Sequence, residues 1–84
     1  MSKYQKTLQK IQRTPTPSDV RWSDLVALLD YLGFELRSGK GSRRKFIHRQ
    51  TAKTIICHEP HPQPIVAKWM LENIVQMLRD SQII

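Results

Sequence analysis

Apolar residues recur along this chain first at helical spacing, then at strand spacing, then at helical spacing again. Residues 2–12 carry Tyr4, Leu8 and Ile11 about one or two turns apart among Lys and Gln, which predicts a short amphipathic helix or a frayed basic arm. Thr14-Pro15-Thr16-Pro17-Ser18 interrupts it, because each proline fixes its own backbone and turns its predecessor away from helix. Leu25, Leu28, Leu29 and Leu32 then follow at i, i+3, i+4 and i+7, with Val26 widening the stripe. This predicts a helix over about 23–32, with Ser23 as N-cap, Asp24 in the first turn, Gly33 as the stop and Trp22 packed against the start.

The period changes to two at Phe34-Glu35-Leu36-Arg37, a short strand. Gly39 and Gly41 supply a turn, residues 43–48 a second strand and residues 54–58 a third, in which Ile55, Ile56 and Cys57 suit burial. Glu59-Pro60-His61-Pro62-Gln63-Pro64 excludes helix, and a second long helix is expected from Ile65 to about Asp80. Val66, Met70, Ile74, Met77 and Leu78 lie along one face of it, with Trp69 beside them. The fold class is therefore α+β: a three-stranded antiparallel meander with the two main helices on one face, preceded by a short N-terminal helix or arm. Residues 1–19 form the arm and Pro-rich linker, and residues 20–84 the single small domain. If Phe46 faces the helices, strand parity puts Arg44 and His48 on its side and turns Arg43 and Lys45 outward.

Charge narrows the function. The net charge is +7 and the sequence pI about 10.1. Seven of the fourteen Lys and Arg residues fall between Leu36 and His58, where no acidic residue occurs. Gly39-Lys40-Gly41-Ser42-Arg43-Arg44-Lys45-Phe46 runs a tight turn into a basic strand, so these cations are held by a scaffold rather than a tail. That arrangement suits a polyanion, RNA first among them. No apolar run is long enough to span a bilayer, and Lys3, Lys6 and Lys10 are not followed by the apolar stretch of a secretory signal. The one cysteine, Cys57, cannot form an internal disulfide, which fits a reducing, cytoplasmic setting.

The turn ending in Gly41-Ser42, the basic-aromatic strand Arg43-Arg44-Lys45-Phe46-Ile47-His48, the strand 54–58 with its following helix, and Tyr31-Leu32-Gly33-Phe34 together resemble the HicA toxin family over roughly residues 20–80. The resemblance implies an α-β-β-β-α fold like a double-stranded-RNA-binding domain. It also implies metal-independent cleavage of messenger RNA and inhibition by a HicB-type antitoxin. The family typically carries its catalytic histidine immediately after Gly-Ser, where this chain has Arg43 and then Arg44. Arginine keeps its proton and cannot act as a base, although it can hold a phosphate.

Cutting RNA without a metal requires a proton carrier, and histidine, which titrates near neutral pH, serves best. Of His48, His58 and His61, the first two fall on predicted strands, and one of these two is the candidate catalytic residue; each also has a plain structural reading as a hydrogen-bonded strand residue. The RNA-binding candidates are Lys40, Ser42, Arg43, Arg44 and Lys45, against the alternative of a merely solvated face. Cys57, His58 and His61 have a superficially metal-like spacing, but strand neighbours point to opposite faces, so no metal or other cofactor is expected and Cys57 is read as core. Trp22 and Trp69 are read as core or interface residues before base-stacking platforms. The expected function is that of a HicA-like endoribonuclease toxin partnered by RNA and an antitoxin. The alternative is a module of the same fold that binds RNA and blocks translation without cutting. DNA binding through the helices ranks below both, because their exposed faces carry mixed charge.

Overall fold

A computed structural model describes residues 2–84. The elements are α1 (Lys3–Ile11), α2 (Trp22–Tyr31), β1 (Phe34–Ser38), β2 (Arg43–His48), β3 (Thr54–His58) and α3 (Lys68–Asp80). From Trp22 onward the order is the expected α-β-β-β-α. The sheet is an antiparallel meander in the order β1-β2-β3, with Phe34 opposite His48 and Leu36 opposite Phe46, then Phe46 opposite Ile55 and Arg44 opposite Cys57.

That register gathers Phe34, Phe46, His48, Ile55 and Cys57 on one buried face. They close a single core with Leu25, Leu28 and Leu29 of α2 and Met70, Leu71, Ile74 and Leu78 of α3. Trp22 packs against Phe46 with ring centroids 5.7 Å apart. The opposite face, bearing Arg37, Arg43, Lys45, Ile56 and His58, is covered by no helix; Ile56 is 56% exposed there.

Three expectations shift. Ser23 does not cap α2: Arg21 takes the N-cap position without a side-chain bond, and the Trp22 N–H donates instead to the Pro64 carbonyl at 2.8 Å. The last helix begins at Lys68 rather than Ile65, because residues 64–66 run extended beside residues 20–22. Arg21 bridges Ile65, and the Val66 N–H donates to the Val20 carbonyl. Trp69 is 62% exposed and lies outside the core, whereas Met70 beside it is buried.

The N-terminal residues form a regular helix. Ser2 and Gln5 make a reciprocal capping box, Ile11 enters the core, and α1 packs on α2 and α3. Tyr4 stacks on Tyr31 at 4.8 Å, and Lys10 pairs with Asp19 at 3.1 Å, holding the Asp19 carboxyl below its usual range.

Candidate functional site

The turn between β1 and β2 is closed by two backbone bonds, from the Gly39 N–H to the Arg43 carbonyl (2.8 Å) and from the Arg43 N–H to the Lys40 carbonyl (3.1 Å). Gly41 takes φ +58°, a left-handed conformation that glycine adopts without strain. Ser42 is then fastened to the end of β3 twice: its carbonyl accepts the Glu59 N–H at 2.8 Å, and its hydroxyl hydrogen-bonds His58 Nδ1 at 3.3 Å. This leaves His58 Nε2 free of any partner among the described residues.

The Glu59–Ser42 bond fixes the ladder's phase. Ser42 and Glu59 face each other as a hydrogen-bonded pair, so the next pair inward, Arg43 and His58, is a non-hydrogen-bonded one. Such pairs bring facing side chains closest, with Cα atoms about 4.5 Å apart. Arg43 and His58 are both exposed and both on the open face. His58 is therefore directly across from the position following Gly41-Ser42.

The cations divide into two groups. Arg44 lies on the inner side, with its guanidinium engaged by Glu59 (3.2 Å), the Gly41 carbonyl (3.0 Å) and the Arg43 carbonyl (2.8 Å); it braces the hairpin. Arg37 reaches Glu35 at 3.4 Å and Arg49 reaches Asp30 at 3.3 Å. Among the described residues, Lys40, Arg43 and Lys45 have no acidic partner. Arg37 and Lys45 stand opposite each other on β1 and β2, a like-charge pairing that disfavours the sheet. Arg37, Arg43 and Lys45 line a shared cleft of about 440 Å³ together with Ser38, Gly39, Arg44 and Ile47.

His48 has a different setting. It is 8% exposed, lies edge-on to Phe34 with ring centroids 4.9 Å apart, and has both ring nitrogens occupied. Nε2–H donates to the Leu32 carbonyl at 3.1 Å, and Nδ1 accepts from the Thr51 N–H at 3.3 Å and the Thr51 hydroxyl at 3.1 Å. A Cβ on Gly33, whose φ is +100°, would approach His48 Nε2 to 3.1 Å, so glycine both ends α2 and makes room for the ring. The structure thus brings Ser42, Arg43 and His58 together and sets His48 apart as a clasp between α2 and the turn after β2. Lys40 sits at the tip of the hairpin, exposed.

Cys57 is buried and its thiol is pushed up to about 11 by desolvation, so it is an inert core group facing away from His58. No three His, Cys, Asp or Glu side chains gather as metal ligands among the described residues. No helix there is long and apolar enough to cross a membrane.

The model of the family described as "HicA toxin of bacterial toxin-antitoxin" matches residues 22–83, from the first residue of α2 to just past α3. The chain belongs to the HicA toxin family. No curated protein and no solved structure matches it. As a HicA-family member it is the toxin of a toxin–antitoxin pair and has an antitoxin partner. The family match begins after α1, so that helix lies outside the matched residues and is fastened to them through Ile11 and the Tyr4–Tyr31 stack. Register is what sequence reasoning missed at this site. Parity alone turns Arg43 outward, but the partnership of Arg43 with His58 depends on where the turn between β2 and β3 closes.

Proposed function

We propose that this HicA toxin binds and cleaves messenger RNA in the cytoplasm without a metal, with His58 as the proton carrier. The observation that carries the reading is the cross-strand pair. The family's histidine follows Gly-Ser, this chain has Arg43 at that position, and His58 projects from the facing residue of β3 onto the same open face. An imidazole from either strand reaches the same space above the sheet.

In the cleavage step, His58 takes the proton of a ribose 2′-hydroxyl. The freed oxygen bonds to the adjacent phosphorus as the P–O5′ bond breaks. The leaving oxygen picks up a proton from solvent, giving a 2′,3′-cyclic phosphate and a 5′-hydroxyl end. Arg43 and Lys45, without acidic partners, hold the phosphate and the charge that grows on it, and Lys40 adds a contact at the hairpin tip. Ser42 orients the imidazole through Nδ1 and leaves Nε2 free for the proton. Arg44 acts through the hairpin it braces.

Purified protein incubated with single-stranded RNA in a metal chelator tests this: cyclic-phosphate ends should accumulate with wild type and not with His58→Gln. The second reading, a binder that blocks translation without cutting, draws on the same Arg43, since arginine in the family's histidine position removes a base and adds a phosphate ligand. Growth arrest with intact RNA would select it. The same cations make an acidic HicB-type antitoxin the fitting inhibitor, seated over residues 39–46 with complementary charge. Hydrogen exchange in the complex should then slow across that hairpin; unchanged exchange there would place the antitoxin elsewhere.

A further inference from the structure

His58 faces two ways. On one side lie Ser42 and Arg43; on the other it forms part of the wall of a cleft of about 500 Å³ whose further walls are Pro60, His61, Pro62, Ile65 and Met70. The cleft's size falls within the roughly 300–1,000 Å³ of small-ligand sites. Carbon dominates its walls, and two of them are proline rings, whose fixed φ restricts the loop without a ligand to order it. Polar atoms enter from His61 and Gln63, both exposed. No lysine or arginine lines it, so the cleft is not a phosphate site.

An apolar slot with two hydrogen-bonding side chains, next to cations that hold a sugar-phosphate backbone, has the chemistry of a base pocket. Flat faces of a heterocycle pack on the prolines, Ile65 and the polarisable Met70 sulfur, and its edge meets His61 and Gln63. We propose that this cleft is a nucleobase subsite, taking one unstacked base of single-stranded RNA beside the phosphate held at Arg43. The proposal rests on the reading that this toxin acts on RNA, and it deepens that reading. A base seated here sets the ribose and its phosphate at His58, which both lines the cleft and faces Arg43. Sequence preference at the cut then arises in the Pro60–Pro64 loop rather than in the basic hairpin.

Uncharged nucleosides test the cleft apart from catalysis. Adenosine, guanosine, cytidine and uridine are titrated separately into wild-type protein while the Met70 and Ile65 methyls and the Gln63 side-chain amide are followed by NMR. At least one nucleoside should shift these signals saturably, whereas ribose 5-phosphate should move Arg43 and leave the cleft methyls in place. His61→Ala should weaken binding of a short single-stranded oligonucleotide carrying the favoured base up to about tenfold, in the range expected for one lost hydrogen bond to a base edge. The same substitution should flatten base preference at the cut. Failure of all four nucleosides to move the cleft signals overturns the proposal, whether or not the protein cleaves RNA. Shifts of these methyls by the antitoxin alone, with none from any nucleoside, assign the cleft to a protein side chain and overturn it equally. Nucleoside binding without any RNA cleavage supports the subsite and refutes only the nuclease reading.

Discussion

Moving a histidine across one rung of the sheet is the sharpest test of the site. His58→Gln keeps a polar side chain near Ser42 but removes the proton carrier, a loss typically worth about 10²–10⁴ in rate. At about 1.36 kcal/mol per factor of ten, the barrier rises by about 2.7–5.4 kcal/mol. The structural cost is small by comparison. His58 is exposed and its one side-chain bond, to Ser42 at 3.3 Å, contributes at the low end of about 0.5–1.5 kcal/mol. Stability and activity therefore separate. Adding Arg43→His to the same chain should recover about tenfold or more of the lost rate, because residues 43 and 58 are a non-hydrogen-bonded pair whose side chains leave one face about 4.5 Å apart. Recovery stays incomplete, since a phosphate ligand goes with the arginine and small misplacements are costly in rate. The assay is single-turnover cleavage of a labelled single-stranded RNA in chelator, read as cyclic-phosphate ends, with thermal midpoints measured alongside. A His58→Gln protein cleaving at the wild-type rate refutes the assignment. Loss without rescue, in a folded double variant, refutes the argument from the cross-strand pair.

His48→Ala should destabilise the fold by about 2–4 kcal/mol in urea titrations, from two lost buried hydrogen-bonding positions and the space left against Phe34, with cleavage by the remaining folded protein unchanged. Replacing Lys40, Arg43 and Lys45 together by Ala should make the plot of log affinity against log salt shallower by about 2, at 0.7 per lost phosphate contact on single strands; an unchanged slope would place the RNA elsewhere. The folded Cys57 thiol titrates at about 11, above its ordinary value of 9.0, so the unfolded chain ionises first as pH rises. Stability relative to Cys57→Ala should be full below pH 9 and fall between pH 9 and 11, measured as the difference in urea midpoints. Lys45→Thr should raise the thermal midpoint slightly, by relieving the Arg37–Lys45 repulsion of about 0.2–1 kcal/mol, while weakening RNA binding.

The hairpin was the most legible part of the chain. Glycines bracket Lys40, apolar residues alternate on either side, and strand parity alone sends Arg44 and His48 inward with Phe46 and Arg43 and Lys45 outward, as observed. Parity could not say what becomes of an inward histidine. His48 is a clasp because the Leu32 carbonyl at the end of α2 and Thr51 in the next turn converge on its ring, and both contacts depend on how α2 docks. The start of α3 was misplaced for a related reason. Val66 is buried, as helical periodicity requires, but its burial comes from an extended pairing with Val20, and apolar spacing does not distinguish the two. The same pairing explains the missing N-cap: it sets the start of α2 at Trp22, so Ser23 lies inside the first turn, where the Leu25 N–H already donates to the Arg21 carbonyl. Trp69 shows the limit of composition. Its neighbour Met70 fills the core, and one step around the helix places the larger ring in solvent.

The open face is poorly arranged for stability alone. Two cations oppose each other across β1 and β2, a third begins β2, and among the described residues the one carboxylate on the face, Glu35, pairs with Arg37 and leaves the other two without a partner. Four acidic groups elsewhere brace other cations: Glu59 braces Arg44, Asp30 Arg49, Asp24 Lys3 and Asp19 Lys10. The hairpin's stability comes from groups that do not quench this charge, namely the backbone closure at Gly39, the Arg44 brace and the Ser42 attachments to β3. A scaffold held from its inner side, with cations unpaired on its outer side, gains most when an anion arrives, because binding relieves repulsion as well as forming contacts. On the proposed function, RNA and an acidic antitoxin would compete for the same relief. An antitoxin seated there would silence the toxin by supplying carboxylates where phosphates would sit, with no change in the toxin's fold required.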